Sequence, residues 1–434
     1  MVDLRPFRGW RYDPDVVGDP ASVLSPPYDM VTPELQDSLR RRSPYNVVHL
    51  EAGEGLDWAS PAEGQYSSAA ALFEQWTGQG VLRRDQEPGF YLQRHRFQDQ
   101  GRQRTRLGLT ACVRLEGYES RQVLPHEYTE ELPIQDRVSL MEKCDANFSP
   151  IMSLYRDTAA ELAPVFQEVM SGAPVLDARD ESEQEFALWR IAGPEIKASI
   201  SRFFSDRPVF LADGHHRYEA ALKFAQLHRE REKGPAQPGA AYNFIMMTLI
   251  GFDDPGLSVL PYHRLVGGLP PDRLKQVQER LHRTFEFQPL ALAGDQRADR
   301  LAEEVAQHGR DRHAVGLVGP EAEGPFLLTL REGVNWTQWG PQAVSEAWIL
   351  EEHVLRPVLG DATLDHLGYI HDPADALEQV ASGARQMAFL LKPFPMDQFE
   401  AIVGEGHRLP RKSTFFYPKL PTGLVINQLR GTLF

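Results

Sequence analysis

Five consecutive residues, Asp213-Gly214-His215-His216-Arg217, carry the clearest chemistry in this sequence. They follow a short apolar run, Val209-Phe210-Leu211-Ala212, and open a helical stretch that extends to about Glu232. A strand that delivers the chain through a glycine turn into a helix points the first-turn N–H groups and the positive end of the dipole at one spot. That field alone is worth only ~0.3–1 kcal/mol when exposed. Two histidines and an arginine add directed donors, and a guanidinium can grip phosphate oxygens in pairs. Asp213 is placed either to cap the helix or to hold a magnesium ion beside a phosphate. The plainer alternative makes Asp213 an ordinary N-cap with the histidines packed on a sheet. The five together favour the ligand. Adjacent histidines diverge by ~100° on a helix, so a two-histidine metal site is not expected.

A second constellation is Leu124-Pro125-His126-Glu127-Tyr128-Thr129, followed by Asp136-Arg137. Pro125 places His126 and Glu127 in a loop ahead of a helix that begins near Ile134. A carboxylate beside a histidine suits a general base, worth typically ~10²–10⁴ in rate. Read alone, the pair also fits a solvated turn. Lys412-Ser413-Thr414-Phe415-Phe416-Tyr417-Pro418-Lys419 offers two lysines in an aromatic, proline-bounded stretch, and Pro261-Tyr262-His263-Arg264 follows an expected strand. Each is able to bring cations to a phosphate. The familiar motifs for P-loops, dinucleotide sites, zincins and nucleophile elbows are not in the sequence.

The elements that position these residues read as mixed helix and strand. Thr32 and Pro33 start a helix that runs to Arg42, and another is expected from about Ala62 to Gln79. Gly89 to Leu115 alternates like a hairpin turning at Asp99-Gln100-Gly101, with Arg94, Arg96, Arg102, Arg104 and Arg106 read as its solvated face. A helix is expected over 157–170, and Lys233-Gly234-Pro235 stops the one that begins at His215. Asn243 to Gly251 reads as a core strand. Beyond residue 270, helices fall near 271–284, 294–308 and 343–358, and strands near 284–289, 313–318, 325–330 and 386–392.

The chain has 434 residues, enough for two or three packed units. Its 46 Lys and Arg against 61 Asp and Glu give a formal charge of −15, which disfavours broad binding to nucleic acid or anionic lipid. Two well-separated cysteines argue against a disulfide framework and for a reducing compartment. No run approaches the ~18 apolar residues of a membrane span, and the sequence begins without a signal-peptide pattern, so a cytoplasmic protein is expected.

At these motifs the chain resembles, essentially from end to end, the uncharacterised prokaryotic family known as domain of unknown function 1015. The matching pieces are R-P-F-R-G-W-R-Y (5–12), S-P-P-Y-D (25–29), S-P-Y-N-V-V (43–48), L-P-H-E-Y-T (124–129), D-R (136–137), A-N-F-S-P-I (146–151), A-D-G-H-H-R-Y-E-A-A (212–221), P-Y-H-R-L (261–265) and K-S-T-F-F-Y-P-K-L-P-T-G-L-V (412–425). An H-E pair upstream and a strand ending in D-G-H-H-R further resemble the ParB/sulfiredoxin-type fold, above all its free-serine kinases.

That resemblance implies an α+β protein in three parts: an aromatic-rich N-terminal region with the hairpin (1–120), a ParB/sulfiredoxin-like core (121–268) and a second α+β unit (269–434). It implies a nucleotide-dependent phosphotransferase acting on a small hydroxyl metabolite, free L-serine first. Glu127 is then the base on the hydroxyl, and Glu127, His126 and His216 are the expected catalytic residues. Asp213, Gly214, His215 and Arg217, with Arg137, Lys412 and Lys419, are expected at the phosphates of ADP, ATP or another nucleotide, with Mg²⁺ on Asp213. The sulfiredoxin cysteine position is His215 here, so sulfiredoxin chemistry is not expected. No helix-turn-helix unit or basic domain accompanies the motif, so neither is DNA partition. A non-catalytic nucleotide-binding regulator and a phosphoserine hydrolase are the alternatives, and a homodimer is a candidate assembly.

Overall fold

The computed structural model describes residues 2–52, 66–99, 101–231, 237–292, 296–319 and 324–433. Residues 62–65 of the expected second helix, Gln100 of the hairpin turn and Lys233-Gly234-Pro235 lie outside them. The protein is α+β. Its contacts divide into two units: residues 1–125, 129–258 and 418–434 form the first, and residues 126–128 and 259–417 form the second. Neither unit is a single continuous stretch of the sequence. Residues 126–128 and the last 17 residues each join a unit remote in sequence from their neighbours.

A nine-stranded sheet forms the first unit's spine, in the order Val123–Leu124, Val209–Asp213, Ile151–Tyr155, Phe244–Gly251, Arg102–Arg114, Phe90–Asp99, Glu185–Ile191, Leu176–Arg179, with Leu4–Arg5 also paired to Arg102–Arg114. Two pairings are parallel, Val209–Asp213 with Val123–Leu124 and Phe244–Gly251 with Ile151–Tyr155; the others are antiparallel. Central strands buried on both faces explain the continuous apolar runs at 209–212 and 244–250. Against the sheet lies the helix His215–Arg231, whose Tyr218, Ala221, Phe224 and Ala225 enter the main core. Burial of a side chain such as Phe224 contributes about 1.5–3 kcal/mol. A second cluster gathers Trp76, Phe73, Tyr12, Val47 and Phe148 around the helix Ser67–Gly78.

The hairpin pairs Asp99 with Arg102 as expected, but its arginines are not uniformly solvated. Arg106 is buried, donates to the Pro418 carbonyl at 2.7 Å, and has its pKa pulled down to about 10 by that burial. The expected face was read from charge alone; alternation puts Arg102, Arg104 and Arg106 on one face, and burial increases along it towards Arg106, where Pro418 packs. Other boundaries shift as well. The helix expected over 157–170 begins at Ala163, because Asp157 accepts the Glu161 and Leu162 amides and holds a turn first. The helix expected near Ile134 starts earlier, at Glu131.

The second unit is a six-stranded antiparallel sheet, ordered Phe285–Pro289, Phe326–Leu330, Ala314–Val318, Met387–Leu390, His263–Val266, Leu367–Ile370. Its core joins the helix Pro271–Thr284 to the helical stretch 346–359, through Val277, Leu281, Ile349, Leu350 and Val354. Cys112 and Cys144 are buried and unpaired. Among the described residues, no helix is long and apolar enough to cross a membrane.

Candidate functional site

The strand Val209–Asp213 slips its register against Ile151–Tyr155 between Leu211 and Asp213, so that Ala212 is skipped and Asp213 pairs with Met152. Gly214 follows at φ 99°, a left-handed conformation that favours glycine. A Cβ there would meet the Arg217 guanidinium at 3.0–3.1 Å. The Gly214 carbonyl accepts the first helical bond, from the Tyr218 amide at 3.0 Å. The first-turn N–H groups, which lack acceptors within a helix, therefore open on this turn.

The turn's charges are arranged around Asp213. One of its oxygens takes Arg217 Nη2 at 2.6 Å, and the other is paired with Lys419 Nζ. Arg217 also donates through Nη1 to the Pro150 carbonyl at 2.7 Å, while its Nε is buried without a partner among the described residues. One carboxylate thus holds two cations at a helix N-terminus, all of them nearly buried, with side-chain exposures of 9–12%. His215 is buried in the same turn. His216 Nε2 accepts the Glu130 amide at 3.1 Å, which leaves the proton of a neutral imidazole on Nδ1. Thr129 adds a second tie to this helix, donating to Glu219 at 2.7 Å.

Arg137 sits in the same unit but deeper. Its Nε and Nη2 reach Asp136 Oδ2 at 2.7 and 2.5 Å, Nη2 reaches the Tyr66 hydroxyl at 2.7 Å, and Nη1 reaches the Glu51 carbonyl at 3.2 Å. Its guanidinium lies 4.0 Å from the centre of the Tyr28 ring. Burial works to lower the Arg137 pKa, but Tyr66, Asp136 and Glu51 outweigh it and hold the group above its ordinary value. Tyr66 also donates to Asp136 at 2.7 Å, and Ser149 to Glu51 at 2.8 Å. A small cavity, lined by Glu51, Arg137, Asn147, Ser149 and Arg217 among others, adjoins both arginines.

His126, Glu127 and Lys412 belong to the second unit. His126 is buried; its Nε2 lies 3.0 Å from Thr414 Oγ1 and 3.5 Å from Glu127 Oε1, and its ring packs edge-on to Phe399. Glu127 Oε1 accepts the Lys412 amide at 2.9 Å, and its backbone carbonyl accepts Arg408 at 3.2 Å. Lys412 has φ 54°, its carbonyl accepts Arg264 at 2.7 Å, and its ammonium lies 5.3 Å from the Tyr262 ring centre. Arg264 is fully buried against Glu351.

The structure therefore gathers the expected residues in two groups: Asp213, Gly214, His215, His216, Arg217, Lys419 and Arg137 in the first unit, and His126, Glu127 and Lys412 in the second. Sequence reasoning missed the Pro150 carbonyl, the Glu130 amide, Glu51, Tyr66 and Tyr28. The S-P-P-Y-D motif contained Tyr28 and A-N-F-S-P-I contained Pro150, but Glu51 and the Glu130 amide carry no local signal.

Cations at a helix N-terminus suit nucleotide phosphates. They suit a protein-held magnesium ion less well, because both Asp213 oxygens already face cations. No group of three or more potential metal ligands is assembled among the described residues.

A family model described as a protein of unknown function, DUF1015, matches residues 4–354. No protein with a curated description matches the chain. Similar solved structures include a conserved hypothetical protein from Pyrococcus furiosus, 14% identical, with a TM-score of 0.36, covering 71% of this chain and 92% of that one. A glutamate-to-alanine variant of a free serine kinase in complex with ADP is 14% identical, with a TM-score of 0.35 and coverages of 70% and 89%. SbnI with a C-terminal truncation, from Staphylococcus aureus, is 11% identical, with a TM-score of 0.35 and coverages of 74% and 87%. The family match spans well over half of the sequence, and the chain belongs to the DUF1015 family.

Proposed function

We propose that the Asp213–Arg217 turn holds the phosphates of a nucleotide, and that the protein transfers a phosphoryl group to the hydroxyl of a small metabolite, with free L-serine as the first candidate. The observation that carries this reading is the Asp213 carboxylate shared by Arg217 and Lys419 at a helix N-terminus. Phosphate oxygens are able to take over those cations without rebuilding the turn, since the carboxylate already holds them side by side. On this reading residues 121–268 carry a ParB/sulfiredoxin-like core.

Phosphoryl transfer asks for positioned cations and an acceptor in line, rather than covalent help from the protein. Gly214 permits close backbone approach, Lys419 and Arg217 offset phosphate charge, and His215 and His216 complete the donor set. Arg137, locked by its buried carboxylates, supports the turn from behind. In the transfer the acceptor's hydroxyl loses its proton to a base as the new O–P bond forms and the nucleotide's terminal phosphoanhydride bond breaks, and Glu127 is the base that the resemblance implies. His126 and the Lys412 amide fix its carboxylate. A magnesium ion would enter with the nucleotide, and Asp213 would have to release Lys419 to bind it.

One observation favours a second reading. Glu127 Oε1 is already engaged by the Lys412 amide, as a structural carboxylate would be. A non-catalytic nucleotide-binding regulator accommodates that without change. Phosphorus NMR of the protein with Mg²⁺, L-serine and ADP, ATP or CTP in turn separates the readings, with phosphoserine alone as the hydrolase arm. The kinase reading expects phosphoserine from wild type and none from Glu127→Gln or His216→Ala. Nucleotide binding without any turnover would replace it with the regulator, and phosphate release from phosphoserine alone with the hydrolase.

A further inference from the structure

The second unit contains a cleft of about 400 Å³ that the function above does not use. That volume lies in the range of small-molecule sites. His313 directly precedes the strand Ala314–Val318, Leu330 ends Phe326–Leu330, and Lys392 follows Met387–Leu390. Because Ala314–Val318 is antiparallel to both neighbours, all three residues come to one end of the sheet.

Two of the lining residues share a buried partner: Glu346 accepts His313 Nδ1 at 3.0 Å and Lys392 Nζ at 2.8 Å on the same oxygen. Lys392 also donates to the Gly309 carbonyl at 2.6 Å. His313 is only 8% exposed, its ring meets Trp336 edge-on at 4.6 Å, and among the described residues its Nε2 makes no hydrogen bond. An imidazole oriented by a carboxylate through Nδ1, with Nε2 left over in a cleft, is built to meet something. The rim supplies Arg310, Arg312 and Arg331 against Asp311 and Glu332, so with Lys392 the lining is cationic.

We propose that this cleft binds a small metabolite through a phosphate or carboxylate group, with the rim arginines donating to the anion, His313 Nε2 donating to it when the ring carries both protons, and Trp336 forming the wall. The two chemistries share anionic oxygens that either partner recognises. Nothing in this proposal depends on the nucleotide turn of the first unit.

The test follows the Trp336 indole NH signal of the full chain, assigned with Trp336→Phe, during titration with inorganic phosphate and, separately, with succinate. The signal is expected to shift saturably with at least one anion, and which one identifies the ligand chemistry. Arg312→Ala, an exposed rim change that leaves the core intact, is expected to weaken that binding about fivefold or more, and His313→Gln to abolish the saturable shift. Lys419→Met, in the other unit, is expected to leave the titration as in wild type. No shift with either anion, or titrations unchanged in both Arg312→Ala and His313→Gln, would overturn the proposal.

Discussion

Asp213 sets the character of the turn, because its carboxylate determines where two cations stand. Gly214 makes the arrangement possible: its φ of 99° and the 3.0 Å approach of Arg217 leave no room for a side chain. Gly214→Ala is therefore expected to cost about 1–3 kcal/mol in chemical denaturation. Gly101→Ala, also at positive φ but with open space around it, should cost less. Equal costs would mean that backbone strain alone, and not the packing on Arg217, accounts for the glycine. At this scale the sequence was informative. D-G-H-H-R located the turn, and K-S-T-F-F-Y-P-K contained Lys419. What it could not show is that Lys419 would stand on Asp213, 206 positions away. Nor could it separate Lys412 from Lys419, which lie seven residues apart and enter different units.

The elements were legible where the hydrophobic period was clean. The strands at 209–213 and 244–251 and the helix from His215 appear where apolar runs and the glycine turn placed them. The buried charges behind the helix Glu131–Cys144 were not, since Arg137, Asp136, Tyr66 and Glu51 converge from separate elements. Removing one partner from such a network strands the others. Arg137→Leu is expected to destabilise the protein by about 3–5 kcal/mol, read from denaturant midpoints. A loss below about 1 kcal/mol would show that the cluster relaxes or hydrates.

Strand His263–Val266 gives a pH prediction. Burial, aided by Arg264, depresses the His263 pKa to about 4, and the ring accepts the Leu391 amide at Nδ1. Between pH 4 and 6.5 the unfolded chain binds a proton that the folded ring refuses, so stability falls as pH drops through that window. The loss is on the order of 3 kcal/mol at its acid end. His263→Asn keeps an acceptor and removes the proton site, so it should flatten this limb of the stability profile. An unchanged acid limb would assign the effect to other groups.

At the scale of the whole molecule, length pointed to more than one unit and the pattern of elements to mixed helix and strand, but neither to which residues share a unit. The first unit is closed by a C-terminal segment, 418–434, that arrives after some 160 residues of the second. No local pattern encodes a return of that kind, because it is specified by pairings such as Ser25 with Thr422 and Asn427 with Asn147. That segment also delivers Lys419 to Asp213. Hydrogen exchange with and without Mg-ADP should show added protection in peptides covering 210–220 and 416–422. Protection confined to peptides of the second unit would move the nucleotide site away from the turn.

The central claim is that the Asp213 turn, with Lys419 and Arg217, binds nucleotide phosphate. Calorimetric titration of wild type and Lys419→Met with ADP, in the presence of Mg²⁺, tests it most directly. We expect saturable binding by wild type and a dissociation constant at least about tenfold weaker in Lys419→Met, a loss of roughly 1.4 kcal/mol or more. Equal affinities for the two proteins, or no binding by wild type, would contradict the account.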